Sequence, residues 1–165
     1  MFKIIATGPE SSGKTTLCKA LSKHFKISYS KEYAREYLEK LDRDYTQKDL
    51  IEIAKGQLTS EQNSILLDTD LITIKIWSNY KYGNCDKWVL EQIQKQKSEK
   101  RFYLLCKPDT AWEEDSLREN PKNRMALFKL YKKELENLSH DYYVVEGENR
   151  DENAISKILD QKFVI

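Results

Sequence analysis

The chain is poor in the residues that build disulfide or metal frameworks. Its three cysteines, Cys18, Cys85 and Cys106, are scattered along 165 residues, and none belongs to a CxxC pair. His24 and His140 are far apart as well. This usage argues against a disulfide scaffold and suits a reducing, cytoplasmic setting. An excess of one charge is also lacking: 28 basic residues against 27 acidic ones leave a formal net charge of +1. Neither nucleic acid nor an anionic membrane finds an electrostatic footprint in that balance. The basic clusters Lys95–Arg101 and Lys129–Lys133 read as solvated faces or helix ends. No run approaches the ~18 apolar residues of a membrane span. The opening MFKIIATG enters a strand and a glycine turn, without the apolar stretch and small-residue site of a leader. There is no internal repeat, no low-complexity tract and no linker rich in Pro, Gly and Ser. A single domain over 1–165 is expected, long enough to bury a sizeable core.

Five apolar segments stand out within this polar background. Phe2–Ala6, Ile65–Leu67, Phe102–Cys106 and Tyr142–Val145 are near-continuous, as strands covered on both faces are, and Ile27–Ser30 is a weaker fifth. Helical segments separate them. Lys14–Phe25 carries Leu17, Cys18, Leu21 and Phe25 at spacings of three and four. Glu32–Leu41 is a short run of good helix formers. Thr46–Asn63 opens with a capping-box-like pair, Thr46 and Asp49. Pro121 suits the first turn of a helix running to Leu138, and Asn149 with Glu152 suits the start of a last one. Strands alternating with helices predict an α/β domain with a parallel sheet.

The strongest chemical signal is Gly8-x-x-x-x-Gly13-Lys14-Thr15, leaving a strand and opening a helix. Average residue frequencies produce that pattern by chance in under ~1% of chains this long. Glycines let successive N–H groups curl around an anion, and the helix N-terminus adds partial positive charge. Lys14 would reach the β- and γ-phosphates of ATP, and Thr15 would offer a hydroxyl to Mg²⁺. In open α/β sheets ligands bind at the carboxyl ends of strands. Glu32 follows the second strand and could take a proton from a substrate hydroxyl, or merely suit a helix start. Arg35 lies one turn on. Asp68 ends the third strand as the Mg²⁺-holding carboxylate of a Walker B arrangement would. Asp70 suits a helix cap or a substrate contact. The polar stretch 107–124 reads as a lid, with Arg118 and Arg124 either within reach of transferring charge or simply at the surface. Gly147-Glu148-Asn149-Arg150 is a turn that could receive an adenine. Tyr29, Tyr33, Tyr37, Trp77 and Tyr80 are aromatics that could stack on a ring or belong to the core.

GPESSGKTTL (Gly8–Leu17), EYARE (Glu32–Glu36), DTDLIT (Asp68–Thr73) with Trp77, KPDTAW (Lys107–Trp112) and the later Asp115, Arg118 and Arg124 occur in this order. Together they resemble the nicotinamide riboside kinase domain of NadR-type proteins, P-loop kinases grouped with small AAA-like ATP-binding domains. The resemblance implies a three-layer P-loop fold with a five-stranded parallel sheet in order 2-3-1-4-5 and a lid, as in nucleoside monophosphate kinases. It implies ATP- and Mg²⁺-dependent phosphorylation of a small nucleoside, nicotinamide riboside foremost, giving the mononucleotide for NAD synthesis. On that basis Lys14, Glu32, Asp68, Arg118 and Arg124 would serve catalysis. Gly8, Glu10, Ser11, Ser12, Gly13, Lys14, Thr15, Thr16, Gly147 and Arg150 would hold ATP. Glu32, Tyr33, Arg35, Asp70 and Trp77 would meet the acceptor, and Thr15 and Asp68 the metal. Lys31 and Ser116 depart from the family pattern. A nucleotide-dependent regulatory ATPase and a kinase for another nucleoside or nucleotide are the competing readings. A GTPase switch is disfavoured, because neither DxxG nor NKxD occurs.

Overall fold

Lys3–Thr7 forms the central strand, β1, and every residue of it is buried. The computed structural model describes residues 1–115 and 117–165; Ser116 lies outside the described residues. The other strands are β2 (Tyr29–Ser30), β3 (Leu66–Asp68), β4 (Arg101–Cys106) and β5 (Asp141–Val145). All pair in parallel, in the order β2-β3-β1-β4-β5. The five apolar segments are these five strands, each displaced by a residue or two. The helices are α1 (Lys14–Phe25), α2 (Tyr33–Glu39), α3 (Gln47–Glu61), α4 (Leu71–Tyr82), α5 (Lys87–Gln96), α6 (Arg124–Asn137) and α7 (Arg150–Asp160).

Successive strand residues point to opposite faces, so the sheet divides the core in two. Ile4, Ala6, Leu66, Phe102, Leu104 and Cys106 pack with Leu17, Cys18 and Leu21 of α1 and Ala154 and Ile158 of α7. Ile5, Leu67, Tyr103 and Leu105 pack with residues of α3 through α6. The result is three layers. Full burial of an aliphatic side chain such as Ile5 or Leu17 contributes roughly 1.5–3 kcal/mol. Cys18 and Cys106 are two of these packing residues.

Local chemistry fixes the helix ends. The Thr46 N–H donates to Asp49 Oδ2 at 2.7 Å, the capping box expected of α3. Arg43 adds a second clamp on Asp49 and, more than any other partner, holds its carboxyl well below the usual range. Asp86 accepts the Trp88 N–H at 2.9 Å and starts α5, and Gly83 closes α4 in the left-handed conformation. Three expectations change. Helix α5 is additional. Helix α6 begins at Arg124 rather than Pro121, because 118–123 is held as irregular chain against other parts of the molecule. Arg101 is buried rather than solvated: it donates to Asp70 at 3.1 Å, Glu99 at 2.7 Å and the Tyr103 hydroxyl at 3.1 Å.

Gly56 on α3 carries the ring of Tyr33, which would lie 2.0 Å from a Cβ placed there. Gly56→Ala should therefore destabilise the protein by about 1–3 kcal/mol through overpacking. Thermal denaturation should show a melting temperature several degrees lower, with part of the loss recovered by adding Tyr33→Leu.

Candidate functional site

The chain leaving β1 turns over the end of β4. Gly8 adopts φ +135°, and a Cβ there would stand 2.6 Å from the Cys106 carbonyl oxygen. Only glycine fits that crossing. Ser11 and Gly13 are also left-handed, at φ 54° and 87°. The buried Ser12 hydroxyl donates to the Pro9 carbonyl at 2.7 Å, closing the loop on itself. Lys14 lies along the inside, its ammonium 2.9 Å from the carbonyls of both Gly8 and Pro9. Helix α1 starts at Lys14 with no acidic residue in its first turn, so its partial positive charge is not offset there.

The pairing of Ala6 with Asp68 brings the end of β3 beside this loop. Thr15 donates its hydroxyl to Asp68 Oδ2 at 2.6 Å, while Asp68 Oδ1 is buried without a partner. Burial raises the Asp68 carboxyl, against the lowering effect of the Thr15 hydrogen bond and Lys14. A hydroxyl and a carboxylate oxygen in need of a partner form a hard-oxygen donor set that fits Mg²⁺, which takes one or two carboxylates and fills the rest with phosphates and water. No three His, Cys, Asp or Glu residues converge on a metal site among the described residues.

A cavity of about 600 Å³ opens in front of the loop, lined by Gly8–Thr16. That size suits a small-molecule site. Glu32 lines the same cavity. It precedes α2 in extended conformation, and its side chain makes no capping bond. The half-buried carboxyl is thus directed to the cavity rather than spent on the helix. Burial raises its pKa; Lys14 opposes the shift and Asp68 adds to it. Arg35 also lines the cavity and donates to Asp115 at 2.8 Å, tying α2 to the 107–124 segment. Aromatic and apolar side chains line the cavity too: Leu38, Ile76, Trp77, Tyr80, Leu127 and Tyr131.

Segment 107–124 has no regular helix or strand among its described residues short of Arg124, and it lies against the loop. Thr110 donates to the Ser11 carbonyl at 2.8 Å, and the Glu113 N–H donates to Ser11 Oγ at 2.9 Å. Arg124 bridges the carbonyls of Ser11 and Thr110, at 3.0 and 2.9 Å. Arg118 lines the cavity and donates to the Glu113 carbonyl at 2.7 Å. The Glu10 carboxylate, raised chiefly by burial, accepts the N–H groups of Glu119 and Asn120, each at 3.2 Å. Arg150 donates to the carbonyls of Ser12, Lys107 and Val145 and to Asp109.

The structure therefore gathers Gly8, Glu10, Ser11, Ser12, Gly13, Lys14, Thr15, Thr16, Glu32, Arg35, Trp77, Arg118 and Arg150 around one cavity. Asp68 stands behind Thr15, and Arg124 holds the loop from outside. Three expected residues are placed elsewhere. Tyr33 packs on Gly56. Asp70 is buried as the cap of α4, accepting from the Ile72 N–H at 3.1 Å and from Tyr103 at 2.7 Å. Gly147 faces Asp109, to which its N–H donates at 2.7 Å. Thr73 and Tyr131 also line the cavity, and their hydroxyls meet at 3.3 Å; Thr73 ends the DTDLIT motif, whereas Tyr131 carried no sequence signal, its position being indistinguishable from an ordinary helix face.

The profile of a family described as an AAA domain matches residues 3–152. The chain belongs to that AAA domain family. Among curated proteins, none matches. Among solved structures, NadR in complex with NR superposes with a TM-score of 0.74 at 23% identity, over 99% of this chain and 52% of NadR. NadR with NAD and AMP-PNP gives 0.69 at 21%, over 99% and 50%. This chain thus spans about half the length of those proteins. YorR from Bacillus subtilis, in complex with phosphorylated GDP, gives 0.62 at 20%, over 98% of this chain and 96% of YorR. These likenesses establish a shared P-loop fold.

The Gly8 crossing can be tested within this AAA domain without reference to any reaction. Gly8→Ala should push the loop off the end of β4 and weaken binding of inorganic tripolyphosphate by about tenfold or more, the cost of one or two misplaced charge-assisted hydrogen bonds. Titration calorimetry of the two proteins would measure it.

Proposed function

We propose that this chain is an ATP-dependent kinase that phosphorylates a hydroxyl of a small nucleoside, with nicotinamide riboside as the foremost acceptor. The observation that carries the reading is the placement of Glu32. A carboxylate without a capping bond lines the same cavity as the loop whose sequence and curvature suit nucleotide phosphates. The aromatic and apolar wall of that cavity suits a heterocyclic ring. The fold shared with NadR, whose structure holds NR, supports that choice of acceptor. The whole of 1–165 would act as one domain with 107–124 as its lid, working in the cytoplasm.

The division of labour follows from access. Main-chain N–H groups of the loop and the start of α1 would bind and orient the donor phosphates, with Lys14 as a mobile charge beside them. Thr15 and Asp68 would hold Mg²⁺, which supplies charge neutralisation on the phosphates when bound. Asp68 is shielded behind Thr15 and is badly placed to reach an acceptor. Glu32 is the better base: its carboxylate would accept the proton of the acceptor hydroxyl as that oxygen attacks the phosphoryl group. Arg118, on the lid side of the cavity, would stabilise charge on the group in transit. The lid would exclude water, the competing acceptor.

Incubation with ATP, Mg²⁺ and a panel of nucleosides should show ADP release that depends on one acceptor class. Equal release with and without every acceptor would replace this reading with a regulatory ATPase. Lys14→Ala should abolish transfer.

Glu32 supplies a pH signature. A base must be ionised, and burial raises its pKa from the ordinary glutamate value. Activity should therefore fall as pH is lowered through a value above the usual ~4.3 of a glutamate. Glu32→Gln should lower kcat by roughly 10²-fold or more and flatten that acid limb. A kcat–pH profile of both proteins checks the shift and its loss together.

A further inference from the structure

Glu119, on the lid segment, belongs to no expected motif, yet its carboxylate gathers three side-chain donors. Its carboxylate receives the Tyr45 hydroxyl at 2.9 Å, the Lys81 ammonium at 3.2 Å and the Trp77 indole N–H at 3.5 Å. These three donors form a unit of their own. The Tyr45 and Trp77 rings meet edge-on at 5.0 Å, and Lys81 lies 3.7 Å from the centre of the Tyr45 ring. Trp77 is at the same time part of the cavity wall. From the other side, the Glu119 main-chain N–H is held by the Glu10 carboxylate inside the P-loop. One lid residue thus bridges the phosphate-binding loop and the aromatic wall where a ring would lie. Its partners come from three places distant in sequence: the P-loop, the turn before α3, and α4.

We infer that Glu119 is a positioning residue, which locks the lid across the cavity through the Tyr45–Trp77–Lys81 cluster and sets the indole of Trp77 against the acceptor. The inference rests on the kinase reading for its catalytic consequence and on geometry alone for the lock. Each contact by itself is partly exposed, and isolated surface pairs contribute little. Three donors converging on one carboxylate, with a backbone bond behind it, form a network in which each bond restricts the others. The Tyr45 hydroxyl reflects this setting: burial first, then its bond to Glu119, raises its pKa. With the lock engaged, Trp77 keeps one orientation and water is kept from the transferring group. With it released, the lid still hangs from Ser11 by Thr110 and Arg124 and from Arg35 by Asp115, so its ends remain docked while the stretch around Glu119 keeps only its main-chain bonds to Glu10 and loosens from the aromatic wall.

The lock and its consequence are read separately. Amide hydrogen exchange would be followed over residues 117–124 in the wild type, in Glu119→Ala, and in the double variant Tyr45→Phe/Lys81→Met, which leaves the lid sequence intact. Both variants should speed exchange there by about tenfold, the factor for losing one charge-assisted hydrogen bond, with exchange in the central strands unchanged. Unchanged exchange over 117–124 in both variants overturns the lock, whatever the reaction proves to be. In steady-state assays with ATP and the acceptor, both variants should raise acceptor-free ADP release relative to transfer and raise acceptor KM more than they lower kcat. Glu119→Gln, which keeps an accepting oxygen, should recover part of each effect. Faster exchange with an unaltered ratio of hydrolysis to transfer overturns the positioning role. If no nucleoside accepts phosphate from the wild type, the kinase reading fails by itself and the exchange result still decides the lock.

Discussion

The crossing of Gly8 over the end of β4 is the constraint on which the site depends. Because position 8 has no Cβ, the chain leaving β1 can pass the Cys106 carbonyl closely and bend back at once toward α1. That bend sets the direction of α1 and so places Thr15 against Asp68. It also turns the carbonyls of Ser11 and Ser12 outward, where Arg124 and Arg150 take hold of them. The lid and the turn after β5 are both docked on these carbonyls. A larger residue at position 8 would displace the loop, the lid and the C-terminal turn together, since all three refer to the same few backbone atoms.

Around this loop three carboxyls, Glu10, Glu32 and Asp68, are all pushed upward by burial and all drawn back by the single ammonium of Lys14. What separates them is their partners. Glu10 is engaged by two lid N–H groups. Asp68 is engaged on one oxygen by Thr15 and has the other buried. Glu32 has no capping bond and opens to the cavity. Similar electrostatics with different access is how neighbouring carboxylates acquire different roles. Spacing in the sequence shows that Glu32 and Asp68 each stand at the end of a strand, but not which of them can be reached.

Much of the fold was legible because its signals are local. Continuous apolar runs mark strands buried on both faces, and the P-loop pattern needs only eight consecutive residues. The departures and the open alternatives share a different cause. Asp70 suits a cap or a substrate contact from its place after β3; it is the cap, and its further partners, Arg101 and Tyr103, lie some thirty residues further on and reach it only through the sheet. Tyr33 is drawn onto Gly56 by the absence of a side chain on another helix. Helix α5 has only Val89 and Ile93 buried as apolar anchors, too few to stand out against its Lys and Gln residues. Arg101 reads as the end of a basic cluster until β4 carries it inside. In each instance a contact distant in the chain overrode a local pattern.

The arginines show how the site separates support from chemistry. Arg124 and Arg150 spend their donors on main-chain carbonyls and on Asp109, and in doing so fix the loop, the lid and the ends of β4 and β5 relative to one another. A guanidinium suits this work, because several rigidly oriented donors can satisfy carbonyls of separate segments at once. Lys14, a flexible point charge beside two carbonyls, is the opposite kind of cation: it can change partners without disturbing the frame. Cations fixed on carbonyls and a mobile one beside them keep the loop in shape while leaving one positive charge able to change partners. That arrangement is what a site for transferring a charged group requires, since preorganisation is useful only where the surrounding dipoles need not rearrange during the step.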